Sequence, residues 1–102
     1  MSSFAELELA VIRWSEARMI IPRATPQSQL NKCLEELAEL FKAESQGNMD
    51  GVKDGVGDVV TCLINYCALK DISLVECLAL AYDAIKDRTG TLMPDGTFVK
   101  DA

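Results

Sequence analysis

Four amphipathic stretches, each bracketed by helix start and stop signals, predict an all-α domain: a four-helix bundle ending in a short C-terminal hairpin or arm. Three observations carry this. Apolar residues recur at spacings of three and four through most of the chain; Ser, Thr and Pro stand where helices start and Gly where they stop; and the only β-prone runs flank Pro94-Asp95-Gly96. At 102 residues the chain makes one domain, 1–102, whose apolar half is buried more fully if the protein is an oligomer.

Ser2 or Ser3 caps a first helix over about residues 4–19, with Phe4, Leu7, Val11 and Trp14 on one side; Trp14 is expected in the core rather than as a base-stacking platform. Pro22 then breaks the helix and pushes Ile21 towards an extended conformation. Thr25-Pro26 is a helix start, Thr as N-cap and Pro at the first helical position, so a second helix spans about 26–45. Its stripe of Leu30, Cys33, Leu34, Leu37, Leu40 and Phe41 is expected to face the core, with Lys32, Glu35, Glu36 and Glu39 opposite.

Gly47 suits the left-handed cap that ends this helix. A third helix follows from Met49 or Asp50 to Leu69. Opposite its apolar side, Asp54, Asp58, Thr61 and Asn65 recur at four, three and four, a polar stripe that opens with two carboxylates. Gly51, Gly55 and Gly57 each cost about 1 kcal/mol relative to Ala in a helix interior. Close approach of a backbone or ligand accounts for them, as does a frayed helix start. Ser73-Leu74-Val75-Glu76 reads as a capping box opening a fourth helix to about Arg88, and Pro94-Asp95-Gly96 is the turn between two short β-prone runs.

Composition narrows the chemistry. The net charge is −6 with no basic run, which argues against nucleic-acid binding through phosphate neutralisation. There is no His, which removes imidazole acid–base catalysis, Ser-His-Asp and Cys-His nucleophiles, and His-based zinc sites. Cys33, Cys62, Cys67 and Cys77 sit in apolar helical stretches without a Cys-x-x-Cys pair and read as small hydrophobes of a reducing compartment. The N-terminus carries no basic and apolar leader pattern, and no segment reaches the ~18 apolar residues that span a bilayer. A cytoplasmic protein without membrane partners is the expectation.

Glu36 and Glu39 leave one helix face roughly 5–6 Å apart at Cβ, a spacing at which like charges repel unless a cation joins them. A short connection makes the second and third helices antiparallel neighbours, so Glu35, Glu36 and Glu39 can face Asp54 and Asp58 as a carboxylate cage for a hard divalent ion such as Mg²⁺. Lys86, Arg88 and Lys100 form a basic cluster suited to a polyphosphate. The competing reading is a solvated acidic face, with Lys32 offsetting Glu35 and Glu36 and the basic residues placed for the helix dipole.

Glu35-Glu36-Leu37-Ala38-Glu39, then Gly57-Asp58-Val59-Val60, then the stretch from Ala81 to Gly90 and the tail from Asp95 to Lys100 resemble, in order and spacing, the MazG-like all-α nucleoside triphosphate pyrophosphatases, in particular the short phage or mobile-element type. The resemblance runs from about residue 30 to 100. It implies a MazG-like bundle that converts a (d)NTP and water into (d)NMP and pyrophosphate in nucleotide-pool housecleaning or remodelling. It implies Glu36, Glu39 and Asp58 as ligands of Mg²⁺ or Mn²⁺, with Asp54 a fourth. Glu35 completes the cage or orients the attacking water, and Lys86 and Arg88 neutralise the leaving pyrophosphate. Tyr82, Asp83 and Lys100 join Lys86 and Arg88 on the substrate side, with interface packing the alternative for Tyr82. A homodimer or a dimer-of-dimers tetramer is implied. The sequence departs from the family pattern where Gly55 stands three residues before Asp58 in place of Glu; Asp54, four before, shares the face. The alternatives are a non-enzymatic acidic helical interaction module and a dUTPase-like hydrolase.

Overall fold

The computed structural model describes residues 2–102, as five helices and a two-stranded hairpin: α1 Phe4–Ala17, α2 Ile20–Arg23, α3 Pro26–Ser45, α4 Met49–Leu69, α5 Leu74–Ile85, β1 Gly90–Leu92 and β2 Phe98–Lys100. The all-α class with a small C-terminal hairpin is as the sequence predicts. The chain is built on the α3–α4 pair, with α1 and the single turn α2 packed on α4; α5 meets the body chiefly at α4.

Local chemistry explains the boundaries. Ser3 Oγ accepts from the Glu6 N–H at 3.2 Å, and Thr25 Oγ1 accepts from the Ser28 N–H at 3.0 Å while Ser28 Oγ accepts from the Thr25 N–H at 3.1 Å. Each such cap stabilises its helix by about 1 kcal/mol. At the end of α3, Gly47 takes φ +64°, the Asn48 N–H donates to the Ala43 carbonyl and the Gly47 N–H to that of Glu44, a full Schellman closure. The end of α4 repeats it with Asp71 at φ +58°, Ile72 N–H donating to Cys67 and Asp71 N–H to Ala68. Ile21 is extended, as Pro22 requires, but the flanking residues wind into α2 instead of a plain break. In the hairpin, Thr91 pairs with Val99 and Leu92 with Phe98; Asp95 Oδ1 accepts from the Thr97 N–H at 2.9 Å, and that bond, chiefly, holds the Asp95 carboxyl below its usual range.

Three expectations need correction. Ser73 stands at the N-cap of α5 but makes no side-chain capping bond, so the expected box does not form, and α5 ends at Ile85, short of Arg88. Trp14 is half exposed rather than in the core. The α3 stripe is not buried: Leu30, Leu34, Leu37 and Phe41 are exposed, while the residues turned inward are Glu36 and Ala43, with Cys33 and Leu40 half-buried. The physical reason is that α4 packs along the border between the apolar stripe and the acids, leaving most of the stripe uncovered in a single chain. Val56 on α4 is exposed beside it, and Leu78, Leu80 and Leu92 on the C-terminal arm are exposed to about two thirds or more.

The fully covered hydrophobic core is accordingly small: Ala43, Cys62, Ile64 and Cys67. All four cysteines are free, and burial, first of all, pushes the Cys62 and Cys67 thiols up, so both stay protonated. The radius of gyration is 16.2 Å, against about 13 Å for a compact domain of this length. No helix among the described residues is long and apolar enough to cross a membrane.

Candidate functional site

Close packing of α3 on α4 sets the site. A Cβ built on Gly55 would lie 3.1 Å from Leu40 Cβ and 3.3 Å from Leu40 Cα, so glycine is what lets the two backbones approach. Gly57, one turn edge away, meets nothing within 4 Å. Close approach therefore accounts for Gly55 and not for Gly57.

Along this crossing the two polar stripes face each other. Glu39, Asp54 and Asp58 line a cleft of about 300 Å³ between the helices, together with Lys42 and Asn48. Glu36 and Asp58 line a second cleft, of about 490 Å³, together with Trp14, Lys32 and Asn65. Asp58 is common to both, so Glu36, Asp58, Glu39 and Asp54 form one acidic seam. Burial, then the charges of Asp54 and Glu36, a hydrogen bond the protonated acid donates to Glu36, and the charge of Glu39 push the Asp58 carboxyl above its usual range.

Glu36 is the buried acid, and its charge is answered by Lys32, whose Nζ lies 3.2 Å from Glu36 Oε1 and 3.5 Å from Glu35 Oε2. A hydrogen bond to Glu36, its charge, and that of Glu35 raise the lysine above its ordinary value. Glu35 stands outside the seam, exposed at its rim.

The carboxylates face one another without forming the tight cage expected. Among the described residues no three Asp, Glu or Cys side chains stand close enough together to ligate one ion as placed. Asp58 nonetheless feels Asp54, Glu36 and Glu39, because Coulomb repulsion acts beyond ligation distance. Four like charges on flexible arms settle apart, and Glu36 leans on Lys32. The donor set suits Mg²⁺ or Mn²⁺: carboxylate oxygens from two facing helices, no imidazole, and a neighbouring Cys62 thiol that burial keeps protonated.

The basic residues are elsewhere. Asp83, Arg88 and Lys100 line a concavity of about 740 Å³ between α5 and the hairpin, where Asp87 and Asp101 offset their charge. Lys86 is paired with Asp83 at 3.3 Å, and Tyr82 lies exposed on α5. This concavity shares no residue with either acidic cleft, so one chain does not bring Tyr82, Asp83, Lys86, Arg88 or Lys100 to the acids. Lys32, which the sequence suggests only as a counter-ion, and Trp14, which it suggests as core, both line the second cleft. Asn65 was visible as the last member of the stripe that begins at Asp54, but without a role.

No protein-family model matches the chain. An uncharacterized 18.2 kDa protein of Haemophilus phage HP1 is 30% identical over 64 residues, which are 63% of this chain and 39% of that protein, so the chain spans about two fifths of that relative's length. Among solved structures, the MazG-like pyrophosphohydrolase of cyanophage S-2L, bound to dGDP and three catalytic Mn²⁺ ions per active site, superposes over 100% of both chains with a TM-score of 0.73 at 19% identity. The chain has a MazG-like fold. Within that MazG-like fold the acids of α3 and α4 occupy the central helix crossing, and the arm of α5 and the hairpin stands off it.

Proposed function

We propose that the chain is a metal-dependent nucleoside triphosphate pyrophosphohydrolase, splitting the bond between the α and β phosphates to give a nucleoside monophosphate and pyrophosphate. The observation that carries this is the acidic seam, in which Asp58 is raised by burial and by carboxylates from both helices. The dGDP and Mn²⁺ held by the cyanophage protein of the same fold support it.

Glu36, Glu39, Asp54 and Asp58 would hold Mg²⁺ or Mn²⁺, which supplies charge neutralisation at the phosphates and an activated water. Glu36 is positioned for this by burial and by its ion pair with Lys32. Glu35, outside the seam and tied to Lys32, is left to orient the attacking water. Asp54 takes the part that Gly55 cannot, since any side chain at 55 meets Leu40.

Lys86, Arg88 and Lys100, with Tyr82 and Asp83, act on the substrate from a second copy of the chain. The uncovered stripes of α3 and α5 and the expanded radius of gyration support a homodimer at least, and two stripes per chain allow dimers to pair into a tetramer. The purpose is nucleotide-pool housecleaning or remodelling, and a dUTPase-like preference is one form of the same chemistry.

The test is a screen of (d)NTPs with Mg²⁺ or Mn²⁺, resolving pyrophosphate from orthophosphate. Release of pyrophosphate, abolished in Glu36→Gln and Asp58→Asn, is expected. No hydrolysis of any nucleotide, with no metal-induced rise in Tm, would leave the acidic interaction module.

A further inference from the structure

Next to the acidic seam lies a part of the second cleft that the phosphate chemistry does not use. Trp14 of α1 is half exposed on its wall, with the Arg18 guanidinium 4.1 Å from the ring centroid steadying the indole. The next residue, Ser15, is turned into the protein with no exposed surface, and its hydroxyl donates to Asn65 Oδ1 at 2.7 Å. That bond ties α1 to α4 and fixes the Asn65 side-chain amide in one orientation. Asn65 is more than nine-tenths buried, and its amide nitrogen has no protein partner. Yet no fully buried side-chain nitrogen or oxygen among the described residues lacks a partner. The nitrogen therefore opens on the cleft that Asn65 lines.

A flat aromatic wall, an aimed and otherwise unpartnered amide donor, and carboxylates at the far end of one cleft make a pocket for a planar heterocycle joined to a charged group. We infer that this cleft is the nucleobase pocket, in which Trp14 stacks on the base, Asn65 donates from its amide nitrogen to a keto oxygen or unprotonated ring nitrogen on the base edge, and Ser15 is the positioning residue that aims the amide. The inference rests on the hydrolase reading, since Glu36 and Asp58 in the same cleft then place the phosphates and leave the Trp14 end for the base. Base choice is then set by α1 and α4 of a single chain and not by the C-terminal arm. A buried donor left unpaired by the wrong base edge disfavours that base, which is how a site built around one hydrogen bond discriminates.

Trp14 is the sole tryptophan in the sequence, so fluorescence excited selectively at tryptophan, beyond the absorption of Tyr66 and Tyr82, reports on this wall. The experiment titrates the 102-residue chain, with Mn²⁺, against the α,β-methylene analogues of the adenine, guanine, cytosine and thymine triphosphates and against inorganic tripolyphosphate, with occupancy measured in parallel by equilibrium dialysis. Saturable quenching by at least one base-bearing analogue and none by bound tripolyphosphate is the expected result. Asn65→Leu should level the Kd values of the four analogues, with the preferred one weakened by about tenfold, while tripolyphosphate affinity stays within twofold. Ser15→Ala leaves the amide in place but frees it, and should also flatten base preference without changing tripolyphosphate affinity, which a loss of packing alone would not do. Analogues that bind by dialysis with no change in fluorescence would overturn the pocket while leaving the hydrolase reading intact. So would fluorescence that responds to dilution of the protein but not to nucleotide, since a second copy would then cover Trp14. Unchanged base order in both variants would overturn the roles of Asn65 and Ser15. If neither the analogues nor tripolyphosphate bind at all, the hydrolase reading itself fails and takes the pocket with it.

Discussion

Gly55 and Gly57 lie two residues apart on α4 and are expected to answer the same substitution with opposite signs. In a helix interior, Gly to Ala gains about 1 kcal/mol from helix propensity. At Gly57 nothing opposes that gain, because a Cβ there meets no atom within 4 Å. At Gly55 the new Cβ comes within 3.1 Å of Leu40 Cβ and 3.3 Å of Leu40 Cα. A backbone atom cannot swing aside, so α3 and α4 must part by a few tenths of an ångström, and overpacking of this kind costs about 1–3 kcal/mol. The steric cost outweighs the propensity gain, leaving Gly55→Ala about 1 kcal/mol less stable and Gly57→Ala about 1 kcal/mol more stable than the parent. For a chain of this size 1 kcal/mol moves Tm by roughly 4–8 °C, so the two variants should melt about 10 °C apart. The assay is thermal unfolding by circular dichroism without metal, at one protein concentration so that assembly contributes equally. Equal stabilisation of both variants would refute the reasoning, because it would mean that no close crossing exists at Gly55.

Asp58→Asn should abolish hydrolysis yet raise the metal-free Tm at pH 7 by a few °C. A raised carboxyl pKa means that the folded chain holds the proton more tightly than the unfolded one, so the ionised Asp58 weakens the fold at neutral pH. That penalty fades as pH falls through the folded value towards the unfolded one, and the gap between variant and parent should narrow on acidification in paired melts. Asp71 holds φ +58° at the end of α4, so Asp71→Gly should gain about 0.5–1 kcal/mol in urea unfolding, whereas Asp71→Val should lose more than that. Leu34→Glu with Phe41→Glu should shift the mass in light scattering from a multiple of 11.2 kDa towards the single chain and reduce hydrolysis with it, since the arm cations would no longer reach the acids.

The parts of the fold legible in the sequence are those written in local chemistry. Thr25-Pro26 and Gly47 bound α3, because caps and glycines act on their own few residues, and the apolar and polar sides that recur between Met49 or Asp50 and Leu69 mark α4; the side-chain cap that Asn48 gives α4 is seen only in the structure. The acids of the seam were legible for the same reason: helical periodicity puts Asp54 and Asp58 on one face and Glu36 and Glu39 on another, and a short loop turns the two faces together. What periodicity does not carry is the identity of the covering surface. The stripe of Leu34, Leu37 and Phe41 announces a face that gains by burial, and α4 nonetheless packs beside it, on Glu36, Leu40 and Ala43. Trp14 was misplaced by the same logic, since an aromatic residue on an apolar face suits a core and a cleft wall alike. Lys86 and Arg88 follow the acids at a family-like spacing, but their meeting depends on where the α5 arm lies, which no local pattern fixes. Ser73 and Glu76 have the residues of a capping box without its bonds, a reminder that a cap motif permits the geometry without enforcing it.

The central claim is that the carboxylates of α3 and α4 act together as a divalent-ion site. It is tested most directly by titrating Mn²⁺ into the 102-residue chain and following free ion by electron paramagnetic resonance, for the parent, Glu36→Gln, Asp58→Asn and the distant acid variant Asp87→Asn. Saturable binding by the parent and by Asp87→Asn, lost or weakened at least tenfold in the two seam variants, is the result the account predicts. Equal Mn²⁺ binding by all four proteins, or none by the parent, would contradict it.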